Sequence, residues 1–259
     1  ESSRNENLNR LRQILQVVLL KIVYESATGS SLAFTGGTAL RFLYQLPRYS
    51  EDLDFSLIRP EKYKFNQLLD HIRKNLEKLA LQVDLKRKEE KTVHQIDVRF
   101  RELLFDAGLS PHKQEKLPVR LEIDTNPPAG WNTEITLFSD IYTIPILRFD
   151  LSSSFATKIH ACLFRPYTKG RDYYDLMWYM GKKVVPNLIV LENAIRQTEG
   201  EKQSNQFDGN VVKNLLLKKI STLDFIKLKQ DVAPFLEHIE EESLLEPELM
   251  KQVISGYEF

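Results

Sequence analysis

The spacing of apolar residues changes near Asp150, and this change limits the folds open to the 259-residue chain. Before Asp150, short alternating segments such as 53–58 and 117–125 predict strands that are interspersed with amphipathic helical segments. After Asp150, apolar residues recur at intervals of three and four, which predicts helices. We therefore predict an α/β (α+β) domain over residues 1–150, with a mixed sheet and flanking helices, and a helical domain over 151–259.

The individual elements follow from the same patterns and from clusters of Gly, Pro and Ser. Strands are predicted over 32–34, 53–58, 82–88, 92–105 and 117–125. In the first half, helices are predicted over 8–22, from about Thr38 to Pro47, and over 61–81. In the second half, helices are predicted over 153–164, 171–180, 188–197, 211–220 and 223–233. Residues 198–210 are polar and predict a long loop.

The composition excludes several classes of protein. The 36 Lys and Arg residues balance 36 Asp and Glu residues, which argues against a polybasic nucleic-acid-binding protein and against an acidic disordered tail. The single cysteine, Cys162, rules out a disulfide within the chain. Apolar runs such as 17–20 are far shorter than the ~20 residues that a membrane-spanning helix needs, and no signal-like apolar core follows the polar first ten residues. We therefore expect a cytoplasmic, monomeric protein with no membrane contact.

Two glycines and two aspartates form the most informative pattern. Gly36 and Gly37 lie between a predicted strand and a predicted helix, where backbone N–H groups and the helix N-terminus favour an anion such as a phosphate. Thr38 is placed to cap this helix or to donate its hydroxyl group to a phosphate. Asp52 and Asp54 lie two residues apart on a predicted strand, so both point to one face. Mg²⁺ with phosphate oxygens would offset their repulsion.

A third acidic residue is needed to hold two metal ions. A later predicted strand carries two candidates, Glu122 and Asp124, which would share one face. Glu122 is preferred, since Leu121 and Ile123 would anchor it on a buried strand, and Asp97 is a weaker candidate. A Gly-Gly pair or an Asp-x-Asp triplet alone is more often a turn or a solvated edge. In the order strand, glycines, helix, strand, with a third acidic strand, the motifs together predict a functional site.

A second set of charged residues lies on two predicted helices of the second half. Lys158 and Arg165 are seven residues apart and share a helix face, and Asp172 and Asp175 share a face of the next helix. Lys158 is placed to act as a point charge on a triphosphate. Arg165 and Arg171 would either hold phosphates or pair with the two aspartates, because ion pairs between adjacent helices are common structural contacts.

His160 and Cys162 lie on the first of these helices. His160 is expected to be a partly buried helix residue, and five histidines with none at metal-ligand spacing argue against a zinc site. Cys162 has apolar neighbours and is expected to be a buried, unreactive thiol.

These segments resemble one known family. The segments that carry the resemblance are Gly36-Gly37-Thr38-Ala39-Leu40, Arg48-Tyr49-Ser50-Glu51-Asp52-Leu53-Asp54, 158–165 and Arg171-Asp172-Tyr173-Tyr174-Asp175-Leu176. They are similar to the AbiEii/AbiGii-type nucleotidyltransferases, the toxin components of bacterial abortive-infection and type IV toxin–antitoxin systems, within the DNA polymerase β-like superfamily. The resemblance covers residues 30–180, and the Arg-Asp-x-x-Asp-Leu segment points to this family in particular.

The resemblance implies a nucleotidyltransferase-type mixed sheet, followed by a helical domain that contributes Lys, Arg and Asp residues to the nucleotide site. Thr38 stands where the superfamily often has serine, with the hydroxyl group kept. Together with the reasoning above, the expected nucleotide-binding residues are Gly36, Gly37, Thr38, Lys158, Arg165 and Asp172. The expected ligands of Mg²⁺ are Asp52, Asp54 and Glu122. The expected catalytic residues are these three, Lys158 and Asp175, with Asp172 as the alternative to Asp175 for the further essential acid.

The resemblance also implies an activity. Members of this family transfer a nucleotide from an NTP to an acceptor, with release of pyrophosphate, and some modify the 3′ end of tRNA and so arrest translation. A cognate antitoxin, often a transcriptional regulator, would be the partner, and phage defence the role. Two alternatives stay open: an enzyme that places AMP or another nucleotide on a protein side chain, and a nucleotide-binding module without catalysis.

An RNA acceptor would require a local basic surface, because clustering of positive charge matters more than the net charge of zero. The residues that would form such a surface are Lys86, Arg87, Lys88, Lys91, Lys182 and Lys183. A run of charged residues is more often a solvated face.

Overall fold

The computed structural model describes residues 4–200 and 207–259, and the chain divides into two compact units. The first unit consists of Glu1–Pro127 and Thr133–Arg148, and the second consists of Pro128–Asn132 and Phe149–Phe259. A mixed sheet with flanking helices forms the first unit, and the second unit is helical. The α/β fold class expected from the sequence is confirmed.

The strands are β1 (Leu32–Thr35), β2 (Asp52–Leu57), β3 (Val83–Glu89), β4 (Val93–Phe100), β5 (Leu117–Asp124), β6 (Thr133–Ser139) and β7 (Thr143–Phe149). The helices of the first unit are α1 (Arg4–Glu25), α2 (Gly36–Tyr44), α3 (Phe65–Lys78) and α4 (Leu103–Asp106). Those of the second unit are α5 (Leu151–Phe164), α6 (Gly170–Gly181), α7 (Leu188–Glu199), α8 (Gly209–Ile220), α9 (Phe225–Val232) and α10 (Pro247–Gly256). Short 3₁₀ helices lie at Gly29–Ser31, Pro60–Lys62, Ala233–Phe235 and Ile239–Leu245.

The strands follow the order β3-β4-β5-β2-β1-β7-β6 across the sheet. The inner strand β2 is antiparallel to β1 and parallel to β5, and β5 is antiparallel to β4. Hydrogen bonds on both sides of β2 fix its position and the direction of its side chains. Residues that are far apart in the sequence therefore face each other across β2 and β5.

One face of the sheet is apolar and forms the core with α1 and α3. Leu53 and Phe55 of β2 and Leu121 of β5 are buried on this face. α3 adds a row of apolar residues that includes Leu68 and Ile72. Burial of each such side chain stabilises the fold by about 1.5–3 kcal/mol. This apolar face leaves the opposite face of β2 and β5 for polar residues.

Several bounds differ from the sequence prediction. α2 begins at Gly36 rather than at Thr38, and it ends at Tyr44, before Pro47, because Gln45 adopts a left-handed conformation with φ 57°. The predicted strand 92–105 is too long, since β4 ends at Phe100 and the chain turns into α4 through Glu102 at φ 61°. The predicted helix 61–81 is reduced to α3, which a 3₁₀ turn precedes.

The hairpin of β6 and β7 is absent from the sequence prediction. Ile135 and Leu137 of the edge strand β6 are exposed, and only Phe138 of its apolar residues is buried in the core. Arg148 of β7 instead donates to Thr136 Oγ1 at 2.6 Å and forms an ion pair with Glu134 at 2.6 Å. In β7, by contrast, Ile144 and Ile146 alternate with exposed residues and are buried, so this strand does carry an apolar alternation.

The second unit is built around α5 and α6. α5 packs against α6, α7 and α8, and α6 packs against α9 and α10. Asp150 caps α5 by accepting the Ser153 N–H at 2.7 Å, and Tyr173 of α6 donates its hydroxyl to the Cys162 carbonyl oxygen at 2.8 Å. The predicted loop 198–210 is bounded by Glu199, where α7 ends, and Gly209, where α8 begins; residues 201–206 lie outside the described residues. Among the described helices, none has the length and apolarity that a membrane span requires.

Candidate active site

β2 carries the two predicted aspartates on one face. Leu53 and Phe55 point into the core, whereas Asp52 and Asp54 point to the opposite face and are partly exposed. The backbone of the pair is fixed by ladders to β1 and β5. Two carboxylates held on one face at this spacing favour a bound cation.

The register of β2 and β5 places Glu122 next to this pair. The two strands run parallel, with Asp54 directly opposite Glu122 and Asp52 directly opposite Arg120. Residues in such positions have their side chains on the same face of the sheet. Three carboxylates from two neighbouring strands, Asp52, Asp54 and Glu122, therefore share one face.

Asp124, the alternative third acid, lies one step further along β5, opposite Ser56. Its carboxylate accepts the Asn126 backbone N–H at 2.9 Å, which closes the turn that follows β5. Burial raises the pKa of Asp124. The register therefore favours Glu122 as the third acid.

Asp97, the weaker candidate, is bound by an arginine. Its carboxylate accepts a hydrogen bond from Arg120 Nε at 2.9 Å and another from Gln95 Nε2 at 3.1 Å, and it lies 3.4 Å from Arg99 Nη2. Burial acts to raise the pKa of Asp97, but the hydrogen bond and charge of Arg120 outweigh it and lower the pKa. Asp97 therefore serves to hold Arg120.

Arg120 brings a positive charge to the acidic face. Its guanidinium Nη1 lies 3.7 Å from Glu122 Oε1, in addition to its contact with Asp97. The hydrogen bond to Asp97 is the main cause of the raised pKa of Arg120, and the charges of Asp52 and Glu122 add to it. Arg120 thus offsets part of the repulsion among the carboxylates.

Gly36 lies directly against Asp54. It has a φ of +76°, and a Cβ atom at this position would lie 2.0 Å from Asp54 Oδ2. Only glycine combines this backbone conformation with such a close approach. The glycine turn and the acidic strand are therefore parts of one site.

Gly37 leaves room for a buried arginine. A Cβ atom there would lie 2.6 Å from Arg48 Nη2 and 3.1 Å from Ser50 Oγ. Arg48 is buried and donates from Nη1 to the Tyr49 carbonyl oxygen at 2.9 Å. Its charge lies beside the N-terminus of α2 and strengthens the positive potential there.

Thr38 does not cap α2, contrary to one of the two roles expected from the sequence. The N-cap residue is Thr35, which makes no side-chain capping bond. The Thr38 side chain is buried, and its hydroxyl donates to the Asp52 carbonyl oxygen. This bond ties the start of α2 to the start of β2, so the Thr38 hydroxyl positions the acidic strand, and its hydrogen is already engaged.

The carboxylates fit Mg²⁺ in kind but do not form a complete cage. Within residues 4–200 and 207–259, no three His, Cys, Asp or Glu side chains come together closely enough to hold a metal ion. Mg²⁺ commonly takes one or two carboxylates from the protein and its other ligands from substrate phosphates and water. The hard oxygen donors of Asp52, Asp54 and Glu122 fit such a shared site.

In the helical unit, Lys158 of α5 lies between two aspartates of α6. Its Nζ lies 2.7 Å from Asp172 Oδ1 and 2.9 Å from Asp175 Oδ2. Asp175 is fully buried and Asp172 nearly so. Burial acts to raise the pKa of Asp172, but the charges of Lys158 and Arg165 outweigh it and lower the pKa. Asp172 and Asp175 thus both contact the Lys158 ammonium group, and a catalytic role of Asp175 stays a prediction.

The two arginines of this segment make different contacts. Arg165 Nη1 forms an ion pair with Asp172 Oδ2 at 2.5 Å. Arg171 stacks over the Phe235 ring at 4.0 Å, and its backbone N–H donates to Asp231 at 3.3 Å. The contact of Arg165 matches the alternative in which ion pairs join adjacent helices. Contact of Lys158 and Arg165 with a triphosphate stays a prediction.

His160 and Cys162 have the environments expected of them. His160 is partly buried, and its Nε2 lies 3.1 Å from Thr198 Oγ1; burial lowers its pKa, with a further contribution from Arg165. Cys162 is buried, and burial raises the pKa of its thiol well above the usual value. A thiol that stays protonated is a poor nucleophile.

Arg48 and Arg120 are the residues of the site that the sequence analysis does not single out. Arg120 lies two positions before Glu122, and the alternation of β5 places both on one face. The same period of two that identified the acids would have identified this arginine. Arg48 had no comparable signal, because it lies outside any periodic segment.

The comparisons with known proteins concern the family and the fold. The model of the family described as "Nucleotidyl transferase AbiEii toxin, Type IV TA system" matches residues 18–249. JHP933 from Helicobacter pylori has a similar structure with a TM-score of 0.55 and 20% sequence identity, over 95% of this chain and 91% of that one. A candidate nucleotidyltransferase from H. pylori has a TM-score of 0.55 and 21% identity, over 94% of this chain and 92% of that one. At these identities the structural likeness concerns the fold, and no curated protein sequence is significantly similar to the chain.

Proposed function

The chain belongs to the AbiEii family of nucleotidyl transferase toxins of type IV toxin–antitoxin systems, and we propose that it transfers a nucleotide from an NTP to the 3′ end of tRNA. One structural observation carries the proposal: Asp54 and Glu122 face each other on neighbouring strands, with Asp52 on the same face and Gly36 against Asp54. Acids on a rigid strand beside a glycine turn are suited to bind the phosphates of a nucleotide together with a cation.

Each residue of the site has a part in this reaction. Asp52, Asp54 and Glu122 would hold Mg²⁺, which would supply charge neutralisation at the α-phosphate and at the departing pyrophosphate. The backbone N–H groups of Gly36 and Gly37 point toward the phosphates at the start of α2. The hydroxyl of Thr38 keeps β2 in register with this turn. Arg48 adds positive charge to the phosphate-binding end of the helix.

The bond changes balance without a further reactant. The oxygen of the acceptor hydroxyl forms a bond to the α-phosphorus while the bond between that phosphorus and the bridging oxygen of the β-phosphate breaks. The hydroxyl proton would pass to Glu122 as the base, or to solvent if a second Mg²⁺ activates the hydroxyl instead, and pyrophosphate would leave with the electron pair of the broken bond. Catalysis is mainly positioning and charge stabilisation.

For the helical unit we propose the roles expected from the family. Lys158 and Arg165 contact the triphosphate, and Asp172 and Asp175 hold these two cations in place through the ion pairs described above. Loss of Asp175 would then act through Lys158 and not through a direct contact with the nucleotide.

The reaction is tested by following label from each of four α-³²P NTPs, with Mg²⁺, into total bacterial RNA and into protein. Asp52→Ala is expected to lower transfer by at least about a thousandfold, with little change in melting temperature, because removal of one of several repelling carboxylates relieves strain. Asp140→Ala, in the exposed turn between β6 and β7, is the matched control and is expected to keep full activity. Full activity of Asp52→Ala would show that the site is assigned to the wrong residues.

The destination of the label decides among the alternatives. Label on RNA of tRNA size, absent with Asp52→Ala, supports the proposal and identifies the base. Label on protein would support the protein-modifying enzyme instead. Binding of NTP without label or pyrophosphate release would support a module without catalysis.

The toxin assignment has its own test in cells. A cognate antitoxin is the expected partner, and phage defence is the role that we propose. Induced expression of the chain in a bacterium is expected to stop growth, whereas Asp52→Ala is expected to leave growth unchanged. Equal growth arrest by both forms would show that toxicity does not depend on the transfer reaction.

A further inference from the structure

Two rows of side chains run across the polar face of the sheet and end at the carboxylates. Strand register places the first row as Lys86, Asp97, Arg120 and Asp52, and the second as Lys88, Gln95, Glu122 and Asp54. Residues of one row are direct cross-strand neighbours and share a face. The edge strand β3 therefore presents two lysines on the same face as the acidic site.

The two lysines lie at a defined distance from the acids. Three strand spacings separate β3 from β2, which corresponds to about 14 Å. Along β3, Lys86 and Lys88 lie two positions apart, which corresponds to about 6.7 Å and is close to the spacing of consecutive phosphates in an extended single strand. This geometry suits two consecutive phosphates of a nucleic-acid strand, one on each lysine, and the same strand would continue along the rows toward the acids.

The charges of the side chains in these rows also suit a nucleic-acid backbone. Lys86, Lys88 and Arg120 are exposed. The ion pair of Lys88 with Glu90 is solvent-exposed and therefore weak. Arg120 is held by Asp97 on the strand next to Asp52 and Asp54. Positive charge at the edge and middle of the rows complements the phosphates of an RNA strand.

We propose that these rows are the path of the RNA acceptor, with backbone phosphates on Lys86, Lys88 and Arg120 and the 3′-hydroxyl at Asp52, Asp54 and Glu122. The inference rests on the proposed function and names the surface by which the acceptor is bound. It also distinguishes the basic residues of β3 by whether they bind RNA. Lys86 and Lys88 bind RNA, and Arg87 between them does not.

Arg87 provides a matched control because it lies on the same strand but on the opposite face. Its cross-strand neighbour is the buried Ile96, and its guanidinium contacts Asn66 of α3 and lies 3.8 Å from Glu89. Removing Arg87 changes the net charge of β3 as much as removing one lysine does. Only the position of the charge differs.

The test measures binding of a fluorescent single-stranded RNA with a free 3′-hydroxyl, by anisotropy at several salt concentrations. The double variant Lys86→Ala/Lys88→Ala is expected to bind at least tenfold more weakly. The slope of log K against log salt is negative, and its magnitude is expected to decrease by about 1.4, at 0.7 for each of two phosphate contacts. Arg87→Ala is expected to bind as the unaltered protein does, whereas each single lysine variant, which removes the same charge, is expected to bind more weakly. In the transfer assay the double variant is expected to raise KM for RNA, with KM for NTP unchanged.

Three results would overturn the proposed path. They are equal losses in Arg87→Ala and in the lysine variant, no loss in either, and no binding of RNA by the unaltered protein. Failure of the proposed function is recognised separately, as an absence of transfer to RNA by the unaltered protein when RNA is bound. If label goes to protein and RNA is not bound, both are wrong, and the acceptor is a protein.

Discussion

At the scale of single residues, the site depends on a contact between a glycine and a carboxylate. Gly36 has a φ of +76° and leaves no space for a Cβ atom beside Asp54. The folded protein therefore requires glycine at this position for steric reasons, even when no nucleotide is bound. Thr38, next to the second glycine, has a similar role, since its hydroxyl holds the first residue of β2.

Gly36→Ala is expected to lower the free energy of unfolding by at least about 2 kcal/mol, because alanine is strained at positive φ and its Cβ displaces Asp54. Denaturant unfolding measures this loss. Gly181→Ala is the control, since a Cβ atom there meets nothing within 4 Å. That control is expected to change the free energy by no more than about 1 kcal/mol. A loss of the same size in both variants would contradict the assigned contact.

At the scale of secondary-structure elements, buried ion pairs join α5 to α6. Lys158 is only 13% exposed and contacts two aspartates that are almost completely buried. Removing one member of such a cluster leaves the others charged and without compensation, which costs more than the pair itself contributes. The cluster therefore fixes the packing of these two helices.

Lys158→Met is expected to lower the free energy of unfolding by about 3 kcal/mol or more, because two buried carboxylates lose their main cation. Lys251→Met, which removes an exposed i,i+3 pair with Glu248, is expected to cost less than about 1 kcal/mol. Urea unfolding at neutral pH compares the two. Similar small losses would show that Lys158 is not part of a structural cluster.

The pH dependence of stability reports on Asp172. Its pKa in the folded protein is lowered, because Lys158 and Arg165 outweigh the effect of burial. A lowered pKa contributes stability above the unfolded value, and this contribution disappears as the pH falls through the folded value. The difference in unfolding free energy between the unaltered protein and Asp172→Asn is therefore expected to be constant above about pH 5 and to shrink below about pH 4. A difference that grows on acidification would contradict the lowered pKa.

At the scale of the whole molecule, we expect the fold to be stable without a metal ion. The core of the first unit is apolar, and residues 4–200 and 207–259 contain no set of three side chains placed to hold a metal ion. The net charge is zero, so the field of the whole chain does not attract anions. Affinity for nucleotides and RNA must then come from the local arrangement of charges.

A chelator is expected to leave the melting temperature unchanged, whereas Mg²⁺ with the preferred NTP at 100 times its Kd is expected to raise it by about 5 °C or more. Binding only to the folded state gives this increase. Asp52→Ala is expected to abolish it. Differential scanning fluorimetry measures both effects, and a fall in melting temperature with EDTA alone would indicate a structural metal.

The sequence by itself determined much of this protein. Alternation of polar and apolar residues located β2 and β5 and showed that the acids of each strand share a face, because the period of a strand is independent of its neighbours. Apolar spacings of three and four located α5 to α9. The glycine pair and the Arg-Asp-x-x-Asp-Leu segment indicated the family, since both are local patterns.

Only the tertiary structure decided which residues face each other. The choice of Glu122 over Asp124 depends on the register of β2 and β5, and register is set by packing between distant segments. β6 was not predicted, since Ile135 and Leu137 are 74% and 68% exposed and these two apolar residues do not indicate the core side of the strand. The engaged hydroxyl of Thr38 and the position of Arg120 likewise depend on partners brought together by folding. Local periodicity thus predicts the elements, whereas contacts between distant strands determine the site.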